Sequence, residues 1–267
     1  MIGLVLALIP GVTTPPPAIF TPSPAPISER VVLETGLGDA LARAKALGGT
    51  LGVTIIDVTT GASVTSNGDQ NLPMAGVQHL PIALLVYRAI EAGHLSMTHD
   101  MHGLLSRMLD NDDSEAANLL LDQLGGSEAA NALLRALGYP AIFLVPNDAG
   151  YASPNALAQL LSDLAQNKLL GAKATVELLR TLAGVGTSPN RLHAGLGARV
   201  TFAHVPGTIS GGDDRNIATN DAGIASLNGR TVVVVTMLEG AHGPDAKRDA
   251  LFASVGALAA TATSANP

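Results

Sequence analysis

The residues whose side chains could carry out catalysis are His79, at the start of an apolar helix, and the triplet Asp112-Asp113-Ser114. Histidine titrates near neutral pH, which makes His79 a candidate general base. Ser114 would be its nucleophile and Asp112 would orient the imidazole, giving a rearranged Ser-His-Asp set. The alternative is a histidine that is only hydrogen-bonded in a non-catalytic pocket. We favour this alternative, because one histidine and one serine can meet by coincidence.

Asp113 has a simpler explanation than catalysis. Together with Glu115 it stands at the predicted start of a helix. Carboxylates at that position accept hydrogen bonds from free amides and interact favourably with the helix dipole. We therefore predict a capping role for Asp113.

A second polar cluster, "HLSMTHDMH", runs from His94 to His102. His99 and His102 are three positions apart, a spacing that would place both on one helix face as metal ligands. The spacing matches no strong metal signature. We predict a solvated, partly helical surface, with no metal and no cofactor.

The glycine-rich stretch "GTISGGDDRN", Gly207 to Asn216, follows one predicted strand and precedes another. It therefore lacks the helix N-terminus that a phosphate-binding loop needs. We expect a mobile loop at a pocket rim, where Asp213 and Asp214 would repel anionic ligands. His204, beside this loop, is expected only to decorate a strand end.

Composition restricts the function classes. The 267 residues are 47% hydrophobic and 14% charged, which favours a packed core over disorder. The net charge of −7 and the 3% aromatic content argue against nucleic acid as a partner. There is no cysteine, so disulfides and thiolate catalysis are excluded.

The first 30 residues combine a short apolar run, Ile2–Val12, with a proline-rich spacer. The run is too short to cross a bilayer but has the length of a signal-peptide core, although no positive residues precede it. We predict a secreted, periplasmic or cell-envelope protein whose mature chain has no membrane span.

Strand patterns occupy both ends of the chain, and helical patterns lie between them. "VTIID" and "ASVTSN" are predicted to pair near the N-terminus, and "RVTFAHVPG", "NIATNDAGIASL" and "RTVVVVTMLEG" near the C-terminus. The predicted hairpin turns are at Gly61 and at Asn228-Gly229. No strand pair is predicted from Met97 to Arg191, where helices are expected with Asp113 or Ser114, Ser127 and Ser153 as caps. An earlier helix is predicted from Gly38, or from a turn before it near Glu34, to Leu47. The sequence therefore predicts an α+β fold: a five-stranded antiparallel sheet flanked by terminal helices, plus an inserted all-α domain. We assign residues 31–75 with 199–263 to the α/β domain and 76–198 to the helical domain.

This layout and several local segments resemble the class A β-lactamases and related penicillin-binding serine enzymes. The resemblance extends from about Glu34 to Ala260. Its segments include the stretch from Leu51 to Met97, "AANLLLDQLGG", "NRLHAGL" and "TNDAGIASL". It implies a β-lactamase/transpeptidase-like fold with a substrate cleft between the two domains.

The family's chemistry depends on Ser-x-x-Lys, Ser-Asp-Asn and Lys-Thr-Gly motifs. At the matching positions this chain has Gly76-Val77-Gln78-His79, Asp112-Asp113-Ser114 and Val205-Pro206-Gly207. The family's glutamate-bearing loop corresponds to "YPAIFLVPNDAGYA", which contains no glutamate and is short. Nearly every side chain that carries the covalent mechanism is therefore missing.

We predict a β-lactamase-like pseudoenzyme or binding protein of the cell envelope, with a cell-wall peptide or a protein ligand in the interdomain cleft. The alternative is an active serine hydrolase that uses His79 and Ser114. A third possibility is a secreted interaction module without a small-molecule site. The resemblance places these residues around the pocket: Gly76, His79, Asp112, Asp113, Ser114, Val205, Gly207 and Thr208.

Overall fold

The computed structural model describes residues 27–185, 191–211 and 216–262. Its main sheet contains β1 (Thr50–Asp57), β2 (Ser63–Ser66), β6 (Thr201–Ser210), β7 (Asn216–Leu227) and β8 (Arg230–Glu239). The strand order is β2-β1-β8-β7-β6, and every pairing is antiparallel. The predicted α+β class with a five-stranded sheet is confirmed.

Two hairpins build this sheet from local sequence. In the first, β1 pairs with β2 through a turn in which Gly61 has a φ of 79°. In the second, β7 turns into β8 at Asn228 and Gly229, whose φ angles are 50° and 77°. Positive φ at both turn residues matches the right-handed twist of paired strands, which explains the choice of Asn-Gly.

Helices from both ends of the chain cover one face of the sheet. They are α1 (Ile27–Ala46), α8 (Leu192–Leu196) and α9 (Asp245–Ala262). Leu37 and Phe252 pack with strand residues such as Val53 and Val234 in one apolar core. Helix α1 begins earlier than the sequence predicted, and residues 1–26 of the signal-like segment lie outside the described residues.

The other face of the sheet is covered by a helical layer with its own apolar core. The layer contains α2 (His79–Glu91), α3 (His99–Asn111), α4 (Ser114–Gln123), α5 (Gly126–Ala136), α6 (Pro154–Ala165) and α7 (Ala172–Ala183). The predicted caps Asp113 and Ser153 accept hydrogen bonds from the first turns of α4 and α6. Ser127 is not a cap, because α5 begins one residue earlier, after the left-handed Gly125. The assignment of residues to two domains stays a prediction.

A small second sheet corrects the prediction that no strands pair between Met97 and Arg191. Strands β3 (Leu72–Pro73), β5 (Tyr151–Ala152) and β4 (Ile142–Phe143) pair in that order. Two-residue strands leave no periodic signal in the sequence, so pattern analysis could not find them. Beside this sheet, the Met74 amide donates to the Gly150 carbonyl over 2.8 Å, which fixes the turn before α2.

Among the described helices, none is both long enough and apolar enough for a bilayer span.

Candidate functional site

The site is centred on the 3₁₀ turn Ala75–Gln78, which leads directly into α2. Gly76, where the resemblance places the family's nucleophile, is buried in this turn. A Cβ atom on Gly76 would lie 2.2 Å from Asp112 Oδ1 and 3.0 Å from the Pro206 carbonyl oxygen. The Asp112 carboxylate therefore occupies the space into which a side chain at position 76 would grow.

Strand β6 approaches the same turn from the sheet side. A Cβ atom on Gly207 would lie 2.6 Å from the Gly76 nitrogen and 2.8 Å from the Val77 nitrogen. Only glycine permits this close approach of two backbones. The β6 backbone is thus packed directly against the turn at Gly76, where no side chain separates the two segments.

His79 is buried, and both of its ring nitrogens face carboxylates. Nε2 lies 2.9 Å from Asp148 Oδ1, and Nδ1 lies 3.3 Å from Asp112 Oδ1. The Nδ1 contact is close enough for an ion pair but lacks hydrogen-bond geometry, so Nδ1 has no hydrogen-bond partner among the described residues. Neither ring nitrogen is hydrogen-bonded to a hydroxyl group that it would activate.

Asp148 is the centre of the polar network, and sequence analysis missed it. Besides the contact with His79, its carboxylate accepts hydrogen bonds from Gln78 Nε2 over 2.9 Å and from the Ser114 hydroxyl. Only 12% of the Asp148 side chain is exposed. The segment "YPAIFLVPNDAGYA" has no glutamate, and the residue in it that could have indicated this network is its one aspartate, Asp148.

Opposing influences set the pKa of Asp148. Burial acts to raise it, but the hydrogen bond and charge of His79, with hydrogen bonds from Ser114 and Gln78, together hold the pKa of Asp148 below its ordinary value. A carboxylate with a lowered pKa is a weak base. It is therefore poorly suited to take a proton from the Ser114 hydroxyl.

Asp112 occupies the left-handed C-cap of α3, with a φ of 54°, and 41% of its side chain is exposed. Burial of the remaining part raises the pKa of Asp112 above its ordinary value. Attraction to His79 and Arg191, offset in part by repulsion from Asp148, does not cancel that rise.

The predicted Ser-His-Asp set is not assembled in the predicted order. Asp112 does lie beside His79, but Ser114 donates to Asp148 instead of to His79. The reason is that Asp148 comes between them, with one carboxylate oxygen on each residue. The predicted catalytic contact between His79 and Ser114 is therefore not formed.

The other predicted pocket residues differ in their roles. Asp113 caps α4 and pairs with Arg107 over 2.7 Å, as a structural residue would. Val205 is buried in the core of the helical layer. Thr208 is exposed on β6, where it accepts a hydrogen bond from Arg191.

Two further residues connect β6, β7 and the turn before Gly76 by hydrogen bonds, and sequence analysis did not single them out. Arg191 donates to the carbonyl oxygens of Gly207 over 3.0 Å and of Asn220 over 2.7 Å. Asn220 donates to the carbonyl oxygens of Pro73 and Met74 over 2.8 and 2.7 Å, and so ties β7 to the turn before Gly76. The only sequence signal was that both lie in segments with family resemblance, "NRLHAGL" and "TNDAGIASL".

His204 is more than strand decoration. It is buried, and its Nδ1 lies 2.7 Å from Asp221 Oδ1. The loop predicted from Gly207 to Asn216 lies only partly within the described structure: its first four residues continue β6, and residues 212–215, which include Asp213 and Asp214, lie outside it. Across the part of the chain that is described, no three His, Asp or Glu side chains converge as metal ligands.

Comparisons with known proteins agree with this geometry. The model of the "Beta-lactamase enzyme family" matches residues 37–102 and 98–263. Beta-lactamase VEB-1 of Pseudomonas aeruginosa is 25% identical over 231 residues, which is 71% of this chain and 77% of that protein. The putative lipoprotein LppW of Mycobacterium tuberculosis is 31% identical over 123 residues, or 45% of this chain and 39% of that protein.

Solved structures show the same fold. An ancestral class A beta-lactamase has a TM-score of 0.75 at 26% identity, covering 85% of this chain and 98% of its own. A beta-lactamase from Chitinophaga pinensis has a TM-score of 0.80 at 22% identity, with coverages of 85% and 99%. The family model spans most of the chain, and the ancestral structure, at 26% identity, has the same fold. This chain therefore belongs to the class A beta-lactamase and penicillin-binding-protein-like family.

Proposed function

We propose that this protein is a non-catalytic, β-lactamase-like binding protein of the cell envelope, with a cell-wall peptide or a protein segment as its cleft ligand. The observation that carries the proposal is the environment of position 76, where the resemblance expects the family's serine. Position 76 is a glycine, and the Asp112 carboxylate stands 2.2 Å from where its Cβ would be. The cleft therefore has neither an attacking atom at that position nor room for one without a shift of Asp112.

The remaining polar groups support the same proposal. A base in the lysine position would need to accept a proton from a nucleophile, but both nitrogens of His79 face carboxylates. Where a nucleophile or base was removed from a triad enzyme, turnover fell by roughly a million-fold. Loss of both leaves no basis for acyl-enzyme formation by the family's route.

The contacts that hold β6 against the turn at Gly76 support a binding role. The Asn220 tie and the close approach of Gly207 keep β6 and the opening turn of α2 together. A cell-envelope location agrees with the apolar start of the chain and with similarity to a putative lipoprotein. No residue of the start lies in the described structure, so this location depends on sequence alone.

Covalent labelling tests the absence of catalysis. The purified chain is incubated with a fluorescent penicillin and with a fluorophosphonate probe, and adducts are measured by intact-mass spectrometry. We expect no adduct in the wild type or in Gly76→Ser, because the new hydroxyl meets the Asp112 carboxylate and has no free base. A stoichiometric penicillin adduct on the wild type would refute the proposal.

Ligand binding tests the second part of the proposal, that the protein binds cell-wall material. Melting temperatures are measured with soluble wall peptides and muropeptide fragments, for the wild type and for Asp112→Lys. A bound fragment is expected to raise the wild-type melting temperature and to do so less in the variant, whose longer cation would obstruct the cleft. A melting temperature that no fragment moves would count against a binding cleft for wall material.

A hydrolase that uses Ser114 is a second candidate, favoured by one observation: its hydroxyl already contacts the Asp148 carboxylate. The base would then be Asp148 rather than His79, and its lowered pKa would make it a weak one. Ser106 provides a matched control, because its hydroxyl donates to Asp110 over 2.5 Å on α3. A fluorophosphonate adduct that is lost in Ser114→Ala and kept in Ser106→Ala would establish this alternative over the binding protein.

A further inference from the structure

A cavity of about 410 Å³ lies between the helical layer and the end of the main sheet where β6 begins. None of the residues that line it belongs to the polar network around Gly76 and His79. Its volume is within the range of about 300–1,000 Å³ that is typical of small-molecule sites. We propose that this cavity binds a single-chain amphiphile with an anionic head group, such as a medium-chain carboxylate.

The inner wall of the cavity is apolar. On the sheet side, Ala203 and Ile224 are directly opposite each other on β6 and β7 and face the helical layer. On the helix side, Leu179 and Ala183 of α7 and Ala165 at the end of α6 close the space. These small and branched side chains form a slot that favours an alkyl chain over a polar ligand.

The rim two residues further along the strands is polar. Thr201, Ser226 and Thr231 are aligned across β6, β7 and β8, and all three line the cavity. Residues two apart on a strand share a face, so this hydroxyl row is continuous with the apolar row of Ala203 and Ile224. Within the described structure, none of the three hydroxyls makes a side-chain hydrogen bond.

Arg180, in the last turn of α7, is the one charged residue that lines the cavity. Its guanidinium forms no ion pair within 4 Å of a described carboxylate, and its charge acts on the Tyr87 hydroxyl of α2. An apolar slot that ends in three hydroxyl groups and one available guanidinium is complementary to an alkyl chain with a carboxylate, because guanidinium and hydroxyl donors both bind that head group. A cationic head group would meet Arg180 unfavourably.

Isothermal titration of the full chain with decanoate, below its micelle concentration, tests the proposal. Decylammonium is the matched ligand, with the same chain and the opposite charge. We expect saturable one-to-one binding of decanoate, with decylammonium roughly tenfold weaker or worse. Equal affinity for both, or no saturable binding of decanoate, would overturn the proposal.

Three variants assign the binding to this cavity. Arg180→Gln is expected to weaken decanoate binding roughly five- to tenfold, whereas Arg135→Gln, on the exposed last turn of α5, leaves it unchanged. Ala183→Leu fills the slot from an exposed helix end and should abolish binding without unfolding the chain. If it does unfold, Ala165→Leu replaces it.

Unchanged decanoate affinity in Arg180→Gln or in the slot-filling variant would place the ligand elsewhere and refute the inference. Size-exclusion chromatography with light scattering tests a second occupant. A wild-type dimer that becomes monomeric in Ala183→Leu would show that another copy of the chain covers the cavity, which also refutes it.

Discussion

Two buried histidines meet aspartates in this molecule, and the two sites differ in how completely their polar atoms are satisfied. In the sheet, His204 contacts the fully buried Asp221, whose second oxygen accepts the Leu192 amide over 3.3 Å. In the cleft, His79 lies between two aspartates, yet His79 Nδ1 and Gln78 Oε1 have no hydrogen-bond partner among the described residues.

The difference separates a buried polar pair of the sheet from an incompletely hydrogen-bonded polar network. Buried polar groups that only stabilise a fold are normally fully paired, because an unpaired one costs roughly 1–3 kcal/mol. The His204–Asp221 pair meets that standard on the Asp221 side and joins β6, β7 and α8. The His79 site does not meet it, and one of its aspartates is 41% exposed to the cleft. We therefore expect the sheet pair to dominate stability and the cleft site to matter less for folding.

The largest expected effect is that of Asp221→Ala. The substitution leaves His204 Nδ1 and the Leu192 amide without a partner in a buried place, and two unpaired buried groups together cost about 3–5 kcal/mol of unfolding free energy. Urea denaturation followed by circular dichroism measures it. Asp39→Ala, on the exposed face of α1, is the control and should change stability by less than about 0.5 kcal/mol. A loss below about 1 kcal/mol for Asp221→Ala would mean that the sheet pair is not structural.

Asp148→Ala should destabilise by a smaller amount, about 2–3 kcal/mol. The substitution leaves the donors of Gln78 and Ser114 and the Nε2 of His79 without an acceptor, but the network is partly open to the cleft. The same denaturation experiment measures this loss, and Asp122→Ala, at an exposed position of α4, is the control. A cost larger than that of Asp221→Ala would reverse the comparison.

The stability difference between wild type and Asp148→Ala should depend on pH. The pKa of Asp148 is lowered in the fold, so its stabilising contribution is full above the unfolded value of about 4 and is lost as the pH falls through the folded pKa. Denaturation between neutral pH and about pH 3 should show a constant gap that narrows only below about pH 4. A gap that already narrows near neutral pH would show that another group controls the network.

Asp112→Asn has the smallest expected effect, and its sign is opposite. The pKa of Asp112 is raised in the fold, so stability present below the unfolded value is lost as the pH rises through the folded pKa. Removing the charge should therefore raise the melting temperature slightly at neutral pH, and the gain should vanish below about pH 4. Destabilisation by this variant would instead make Asp112 a stabilising partner of His79.

Local signals in the sequence predicted much of the frame. Alternating patterns with Gly61 and Asn228-Gly229 turns gave the strand pairs, and Asp113 and Ser153 marked two helix starts. These features depend on residues a few positions apart. The two-residue strands and the true start of α5 were not predicted, because neither leaves a pattern longer than one turn.

For the candidate site, the sequence predicted which residue types are missing better than it predicted which side chains are in contact. The prediction that the family's nucleophile is missing at Gly76 came from motif positions. The placement of Asp112 beside His79 came from the same positions, and the structure shows that contact. The partner of Ser114 was not predicted, since Asp148 is 34 positions away and reaches the site only through the small β3-β5-β4 sheet. The roles of Arg191 and Asn220 could not be predicted either, because the carbonyl groups that they bind belong to other segments.

The sequence by itself determined the fold class and predicted that the family's attacking side chain is absent, because both depend on residue types at fixed spacing. The tertiary structure alone decided what replaces that chemistry: which carboxylate fills the space beside Gly76, which one binds Ser114, and where a second cavity opens. These are contacts between segments far apart in the chain, and burial and distance define them only after the helical layer has packed on the sheet.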